Sequence, residues 1–258
     1  MTVIINGDTG ITTPAETIAT NLTFTGTGNR ITGDMSNATV ANSVAFQSST
    51  TNGFTILNTL PNGTSSISGA RFFSGTDPDN SSLCQIIANQ TTSTIFATKT
   101  GTGTYGPLTF NTSATERMRI DTSGRVTMPF QPMFSGYKSA TPVAGPAVYI
   151  LDTMNTNVGS VYSTSTGRFT APVAGKYLFT SNITSSGAIT RNFAFYVNGV
   201  ATVTGIHDNA GGVGYFSSIP VDGILTLSAS DYVEFYIVNG TGYAGGAYRG
   251  FFSGSLIG

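Results

Sequence analysis

Residues 151–179 read LDTMNTNVGSVYSTSTGRFTAPVAGKYLF. Asn157, Tyr162, Phe169, Gly175, Tyr177 and Phe179 are the positions on which the reading turns. The stretch is aromatic at intervals and broken by Gly, with no apolar stripe of period 3.6. Alternation at period two continues downstream. Phe193, Phe195 and Val197 alternate with Ala194, Tyr196 and Asn198; Leu225 and Leu227 with Thr226 and Ser228; Val233, Phe235 and Ile237 with Glu234 and Tyr236. Such runs are half-buried strands. Asn198-Gly199 between two of them predicts a tight hairpin, because both central residues of that turn need positive φ. Two antiparallel sheets with inward aromatics form a sandwich.

Twenty of the 28 Phe and Tyr residues lie from Phe130 onward. Aromatic side chains supply much of the buried area of a core, so a compact domain is expected at 129–258. The whole chain has 258 residues, only 9% of them charged, and a net charge of −1. Without a basic surplus there is little to neutralise phosphates, and nucleic-acid binding is not expected. No apolar run reaches the ~18 residues of a membrane span, so no membrane insertion is expected. Met1–Gly7 has neither a basic n-region nor an apolar h-region, and a secretory leader is not expected there. Cys84 is the sole cysteine; it excludes an internal disulfide and is expected to be a small buried apolar residue.

The six positions quoted above fall at the spacing of the signature of the complement-type globular head, the jelly roll shared with tumour necrosis factor. The resemblance departs at Leu151, where that family has Phe, and at Ser181, where it has an aromatic residue. It continues through Phe195-Tyr196-Val197-Asn198-Gly199 and through Leu225-Thr226-Leu227 with Asp231-Tyr232-Val233, Ser230 standing where Gly is usual. It closes on Phe252-Ser253-Gly254-Ser255-Leu256-Ile257. The resemblance implies a jelly-roll head that assembles as a homotrimer and binds partners at its tip without catalysis. Alternation sends one of Phe251 and Phe252 into the sandwich and the other outward. An outward Phe on a central strand needs a cover, which a threefold axis supplies, and the same holds for Tyr215 and Phe216. These four are the expected core and trimer-interface residues.

Upstream, Thr, Ser, Asn and Gly dominate. Residues 1–36 hold strand-like pieces, Thr2–Ile5 and Leu22–Thr25, each too short to bury a core alone, and one helical turn at 14–19. Met1–Thr13 resembles the opening of many bacteriophage tail-fibre and baseplate-attached proteins. Residues 1–36 are therefore expected to be a virion-attachment segment. Residues 37–128 are expected to form a β-rich shaft or small β-domain, with strands such as Val44–Phe46, Phe54–Leu57, Gln85–Ala88 and Ile95–Ala97. One sheet face should be Thr and Ser, the other Ile, Phe and Val, closed by neighbouring chains. Residues 116–126, ERMRIDTSGRV, resemble a hairpin that precedes the C-terminal module of many phage fibres. Arg117, Arg119 and Arg125 are expected to pair with Glu116 and Asp121 of adjacent chains.

No catalytic site is expected. His207 is the lone histidine and lies in a Gly-rich stretch, and no Ser occupies a nucleophile elbow. Asp77 and Asp79 in DPDNS could ligate calcium, but Asp, Pro and Asn together read first as a turn. Neither a metal nor a cofactor is implied. Eight Asn-x-Ser/Thr triplets follow from the composition and do not imply glycosylation. Strand counting places Thr184–Thr190, Ile206–Gly214 and Asn239–Ala247 at the end of the head remote from the shaft. That end carries the expected receptor contacts Arg191, His207, Asp208, Asn209 and Tyr243, suited to a glycan through stacking and neutral hydrogen bonds.

The resulting expectation is an all-β, trimeric, non-enzymatic virion protein assembled in a bacterial cytoplasm. Its N-terminus would meet a tail, baseplate or capsid protein, and its head a host-surface glycan or protein receptor. The alternatives are a capsid fibre or decoration protein, and a secreted bacterial lectin-like protein. A polysaccharide-degrading tailspike would need paired carboxylates at a groove; the acidic residues here are few and scattered.

Overall fold

The computed structural model describes residues 51–52, 56–61, 63–186, 190–207, 216–246 and 249–258. The strands expected at 2–5, 22–25 and 44–46, and the turn of helix at 14–19, lie outside them. The chain divides into two compact units, Met1–Asn62 and Gly63–Gly258. Every element below belongs to the second, and all of them are strands.

The first three strands, β1 (Ser68–Phe73), β2 (Ser82–Ala88) and β3 (Ser93–Lys99), form an antiparallel meander. The β1–β2 connection is closed by the DPDNS segment, which is a turn. The Asp79 N–H and the Asn80 side-chain amide donate to the two carboxylate oxygens of Asp77 at 2.9 and 3.0 Å. The Asn80 amide first, then the Asp79 N–H, holds the Asp77 carboxyl below its ordinary pKa. The register places Ala70, Phe72, Cys84, Ile86, Ile95 and Ala97 on one face, and Phe73, Leu83, Ile87 and Phe96 on the other. Apolar residues thus occupy both faces, not one as the composition implied. Cys84 is exposed rather than buried, because three strands carry no second layer over its face.

A second meander follows: β4 (Leu108–Thr112), β5 (Thr115–Ile120) and β6 (Val126–Thr127). The turn between β5 and β6 is built on Asp121, whose carboxylate accepts from the Ser123 and Arg125 N–H groups, both at 2.9 Å. Asp121 N–H and Gly124 N–H close it through the Arg125 and Asp121 carbonyls. Within the chain, Arg125 pairs with Asp121 at 2.6 Å and Arg119 with Glu116 at 2.6 Å. The reason is a bulge. Phe110 opposes Met118 and Asn111 opposes Glu116, so Arg117 is an extra residue. The bulge resets the alternation and brings residues 116 and 119 to the same side. Arg117 donates to Thr112 Oγ1 at 2.9 Å and lies over the Phe130 ring, 4.7 Å from its centroid.

Residues from Met133 onward form two packed sheets. In chain order the strands are β7 (Met133–Tyr137), β8 (Val143–Ala144), β9 (Ala147–Val148), β10 (Thr153–Val158), β11 (Tyr162–Ser163), β12 (Arg168–Thr170), β13 (Gly175–Ser186), β14 (Arg191–Val197), β15 (Val200–His207), β16 (Phe216–Leu227), β17 (Tyr232–Asn239), β18 (Thr241–Gly242) and β19 (Gly250–Leu256). One sheet runs β10-β7-β19-β13-β18-β8, with β16 also on β13; the other runs β11-β12-β17-β14-β15, with β9 also on β17. The last strand, β19, therefore lies between β7 and β13.

The inner faces meet in an aromatic core. Phe134, Tyr162, Phe169, Tyr177, Phe179, Phe195, Phe235 and Phe252 are all buried. Phe252 is its hub: its ring centroid lies 4.8 Å from Phe134, 5.4 Å from Phe195, 5.6 Å from Phe235 and 6.0 Å from Phe179. Phe252 thus takes the inward position and Phe251 the outward one, partly exposed. Gly254 repeats the inward parity of Phe252, and a Cβ there would stand 2.6 Å from Phe179 and 2.8 Å from Phe134. The two departures from the signature are both buried. Leu151 is fully buried, with its N–H donating to the Tyr162 hydroxyl. Ser181 lies opposite Phe252 and donates to the Val221 carbonyl at 2.9 Å.

Two expected outcomes follow from this core. Replacing Phe252 by Ala should cost about 3–5 kcal/mol in denaturant unfolding, the ordinary cost of emptying a buried aromatic site. Val200→Ala, on the exposed side of the hairpin, should stay within about 0.5 kcal/mol. Equal shifts in the two variants would contradict the packing. The second outcome concerns alkali. Burial pushes the Tyr149 and Tyr162 phenols well above their ordinary pKa of 10.0. In the unfolded chain both ionise near that value while the fold keeps them neutral. Their stabilisation is therefore complete below about pH 10 and falls as pH rises above it. Melting temperature should drop as pH rises above about 10, and Tyr149→Phe should make the drop smaller.

Candidate functional site: the far rim of the sandwich

Strand register sorts the loops into two ends. The chain enters at Pro132, whose carbonyl accepts from Leu256 N–H; Ile257 N–H donates to Lys176, and Lys176 N–H to Gly258, at the same end. The Asn198-Gly199 hairpin and the Ser228–Asp231 turn lie there too. Asn198 and Gly199 have φ of 51° and 81°, as the two-residue turn requires. The Asn198 amide donates to Asp231 Oδ1 at 2.8 Å, and Tyr232 N–H donates back to Asn198 Oδ1 at 3.0 Å. That amide, before the Ser228 N–H, holds the Asp231 carboxyl below its ordinary pKa. Ser230 has φ of 74°, which explains why Gly is usual at this position of the pattern.

The opposite end gathers the segments 138–147 and 240–246 and the strand ends at Ser186, Arg191, His207 and Phe216. The register places them there: Tyr137 pairs with Phe251, Ser186 with Phe216, Arg191 with His207, and Asn192 with Asn239. Of the three loops that strand counting assigned to this end, the described parts, 184–186, 206–207 and 239–246, flank it; the remainder of each lies outside the described residues. A fourth, 138–147, was missed, since its placement depends on β8 pairing with β18 and β9 with β17, nearly a hundred residues on. No local pattern announces two-residue strands.

Hydrogen bonds tie this rim to the sandwich. The Tyr149 hydroxyl donates to the Tyr243 carbonyl at 2.7 Å, and Tyr243 N–H to Thr184 at 2.9 Å. Gly145 N–H donates to the Gly240 carbonyl at 2.8 Å, and Gly245 N–H to the Lys138 carbonyl at 3.2 Å. The Asn239 amide reaches the Thr190 carbonyl at 2.8 Å. Lys138 lies 3.7 Å from Asp152, whose carboxylate also accepts from Ser139 N–H at 2.7 Å. Burial opposes ionisation of Asp152, but the bonds from Ser139 and Thr153 and the Lys138 charge outweigh it and hold its pKa low.

Of the expected receptor contacts, Tyr243 sits at the rim, half-buried, and His207 ends β15. Asp208 and Asn209 lie outside the described residues. Arg191 does not belong to a contact surface. It is 1% exposed, and its guanidinium donates inward to the Ser185 carbonyl at 2.9 Å and to Ser217 Oγ at 2.8 Å. Its stem packs over Gly240, where a Cβ would stand 2.8 Å from Arg191 Cγ. Arg191 is a buried tie between strands β13, β14 and β16. The described part of this rim presents an aromatic side chain, Tyr243, and peptide groups of the Gly-rich 240–246 segment over a rigid base. Among the described residues, no three His, Cys, Asp or Glu side chains gather to hold a metal.

The outward face of the β7–β19–β13–β16 layer is a second surface. The register sets Tyr137, Phe251, Asn182 and Pro220 in one row, Ser135, Ser253, Thr180 and Asp222 in the next, and Met133, Ser255, Leu178 and Ile224 in a third. Thr180 and Ser253 share a hydroxyl–hydroxyl bond of 2.8 Å. Tyr215 lies outside the described residues, and Phe216 opens β16 at the far rim.

Comparison with known proteins agrees with this geometry. Residues 133–257 match the family model of the C1q domain. Similar solved structures include the globular domain of zebrafish complement 1qA protein (16% identity, 50% of this chain and 98% of that one, TM-score 0.41). Others are the Eiger TNF of S. frugiperda (10%, 50% and 94%, 0.41) and murine APRIL (11%, 49% and 99%, 0.40). A comparison with curated protein sequences gives no match. Residues 133–257 thus have a jelly-roll fold of C1q/TNF type; the domains they resemble commonly form trimers and bind ligands and are generally non-enzymatic.

Proposed function

We propose that the protein is a homotrimeric bacteriophage fibre, attached to tail, baseplate or capsid through residues 1–36, whose head binds a host-surface receptor at its far rim. The observation that carries the binding reading is the segregation of the two ends. The chain enters and leaves the sandwich at one end, beside the side-chain network of Asn198 and Asp231. The described loops 138–147 and 240–246, with four glycines in the second, gather at the other. The likeness of Met1–Thr13 and of residues 116–126 to phage-fibre segments supports the virion assignment. Phe251, outward on a central strand between Tyr137 and Asn182, supports assembly through that face. The ligand class that fits the rim is a neutral glycan, held by Tyr243 and by polar groups of the 206–214 loop, Asp208 and Asn209 among them.

Adsorption to host cells tests the head. Tyr243→Ala and Asp208→Ala should each reduce adsorption about tenfold or more, the loss of one to two stacking or hydrogen-bond contacts, with oligomer mass and melting temperature unchanged. Normal adsorption by both, with failure of variants at the Asn198 end, would place the receptor site at the wrong end. Deletion of residues 1–36 tests the attachment. The truncated protein should remain a soluble oligomer of unchanged subunit number by light scattering and should no longer be incorporated into particles. Particles decorated normally by the truncated fibre would overturn the assignment.

A further inference from the structure

The uncovered face of the β1–β2–β3 meander has a chemistry of its own. Phe72, Ile86 and Ile95 are 61%, 49% and 52% exposed, with Ala70, Cys84 and Ala97 between them in register. Between its ends this face carries no charge; the ammonium of Lys99, at its border, is turned onto the Gly101 carbonyl at 2.9 Å and toward the Tyr105 ring. Two hollows flank Ala97, one of about 330 Å³ bordered by Phe72, Cys84 and Pro107, the other of about 360 Å³ bordered by Ile95, Tyr105 and Leu108.

We infer that a second copy of this chain covers this face, so that the meanders of neighbouring copies close a common core between them. Two arguments select a copy over a foreign partner. Symmetry-related copies bring identical side chains near one another, which disfavours like charges at their junction; here Lys99 and Asp121 stand only at the border, each engaged within its own chain. The area gives the second. Three half-exposed Phe and Ile side chains offer roughly 300 Å² of apolar surface, well below the ~800 Å² per partner of a stable independent interface. A separate protein would not stay bound. A copy already held through the head meets the face at high effective concentration and needs no more. The inference rests on the oligomer proposed above.

Cys84, the only cysteine of the chain, reports on this face from its centre. In the full-length protein, its reaction with a chromogenic disulfide reagent should be at least about tenfold slower than in the urea-unfolded chain, because the thiol is covered. Copper-phenanthroline oxidation should yield a disulfide-linked dimer on a non-reducing gel. Ile86→Glu, which sets like charges on the covered face, should restore fast labelling and abolish the dimer band. Gln85→Glu, on the opposite face, should change neither. An oligomer by light scattering whose Cys84 reacts as fast as in the unfolded chain would overturn this inference alone. A monomeric wild-type protein would overturn the oligomer reading and this inference together.

Discussion

The Phe252 ring is the constraint on which the head depends. It belongs to the last long strand and touches rings from both sheets: Phe134 and Phe179 beside it, Phe195 and Phe235 across the sandwich. For the ring to sit there, β19 must insert between β7 and β13, which pairs Ser255 with Met133 and Phe252 with Ser181. Gly254 must stay bare so that Phe179 and Phe134 can close over the same strand. Contacts of this sequence separation form only after a large loop has been closed. The sandwich therefore cannot be completed until the C-terminal strand is in place.

That closure divides the domain into two ends of different character. At the entry end, side chains hold the turns: Asn157 brackets Tyr162 through both its amide atoms, and Asn198 clasps Asp231 and Tyr232. At the far rim, among the described residues, the ties are chiefly backbone bonds, anchored from beneath by the Tyr149 hydroxyl and the Arg191 guanidinium. Loops held from below by buried side chains can vary in their exposed residues without disturbing the core. A recognition surface needs such an arrangement. Arg191 serves the rim from inside, tying together the ends of strands β13, β14 and β16.

The small sheets upstream obey a different limit. Three strands have two faces and no second layer, and both faces of the first meander carry Phe, Ile or Leu. Burial of such surface is favourable at about 25 cal/mol per Å², and a lone meander forgoes most of it. The second meander reduces its cost by local means. The bulge at Arg117 sets Arg119 on Glu116 and turns Arg117 over Phe130, so the polar side is satisfied within the chain. Exposed pairs of this kind contribute little to stability.

Local chemistry is legible in the amino-acid sequence where it is enough to decide structure. Asn198-Gly199 demands its turn through positive φ, Asp77-Pro78-Asp79-Asn80 and Asp121–Gly124 make theirs through short side-chain-to-backbone bonds, and period-two alternation marks the sandwich strands. Alternation also requires that Phe251 and Phe252 part company. Which of the two goes inward was left open, because that parity is set by pairing with Ser181 and Tyr137, far away in the chain. The exposure of Cys84 was misjudged for a related reason: an alternating strand reveals two faces but not whether either is covered. A single inserted residue at Arg117 reset the facing of Glu116 and Arg119, and no propensity foretold it. Arg191, polar and at a strand end, reads as a surface residue until Gly240, Ser185 and Ser217 are seen to enclose it. Turn type and strand character arise from interactions within a few residues. Parity, coverage and burial arise from contacts between strands distant in sequence, and only the folded chain decides them.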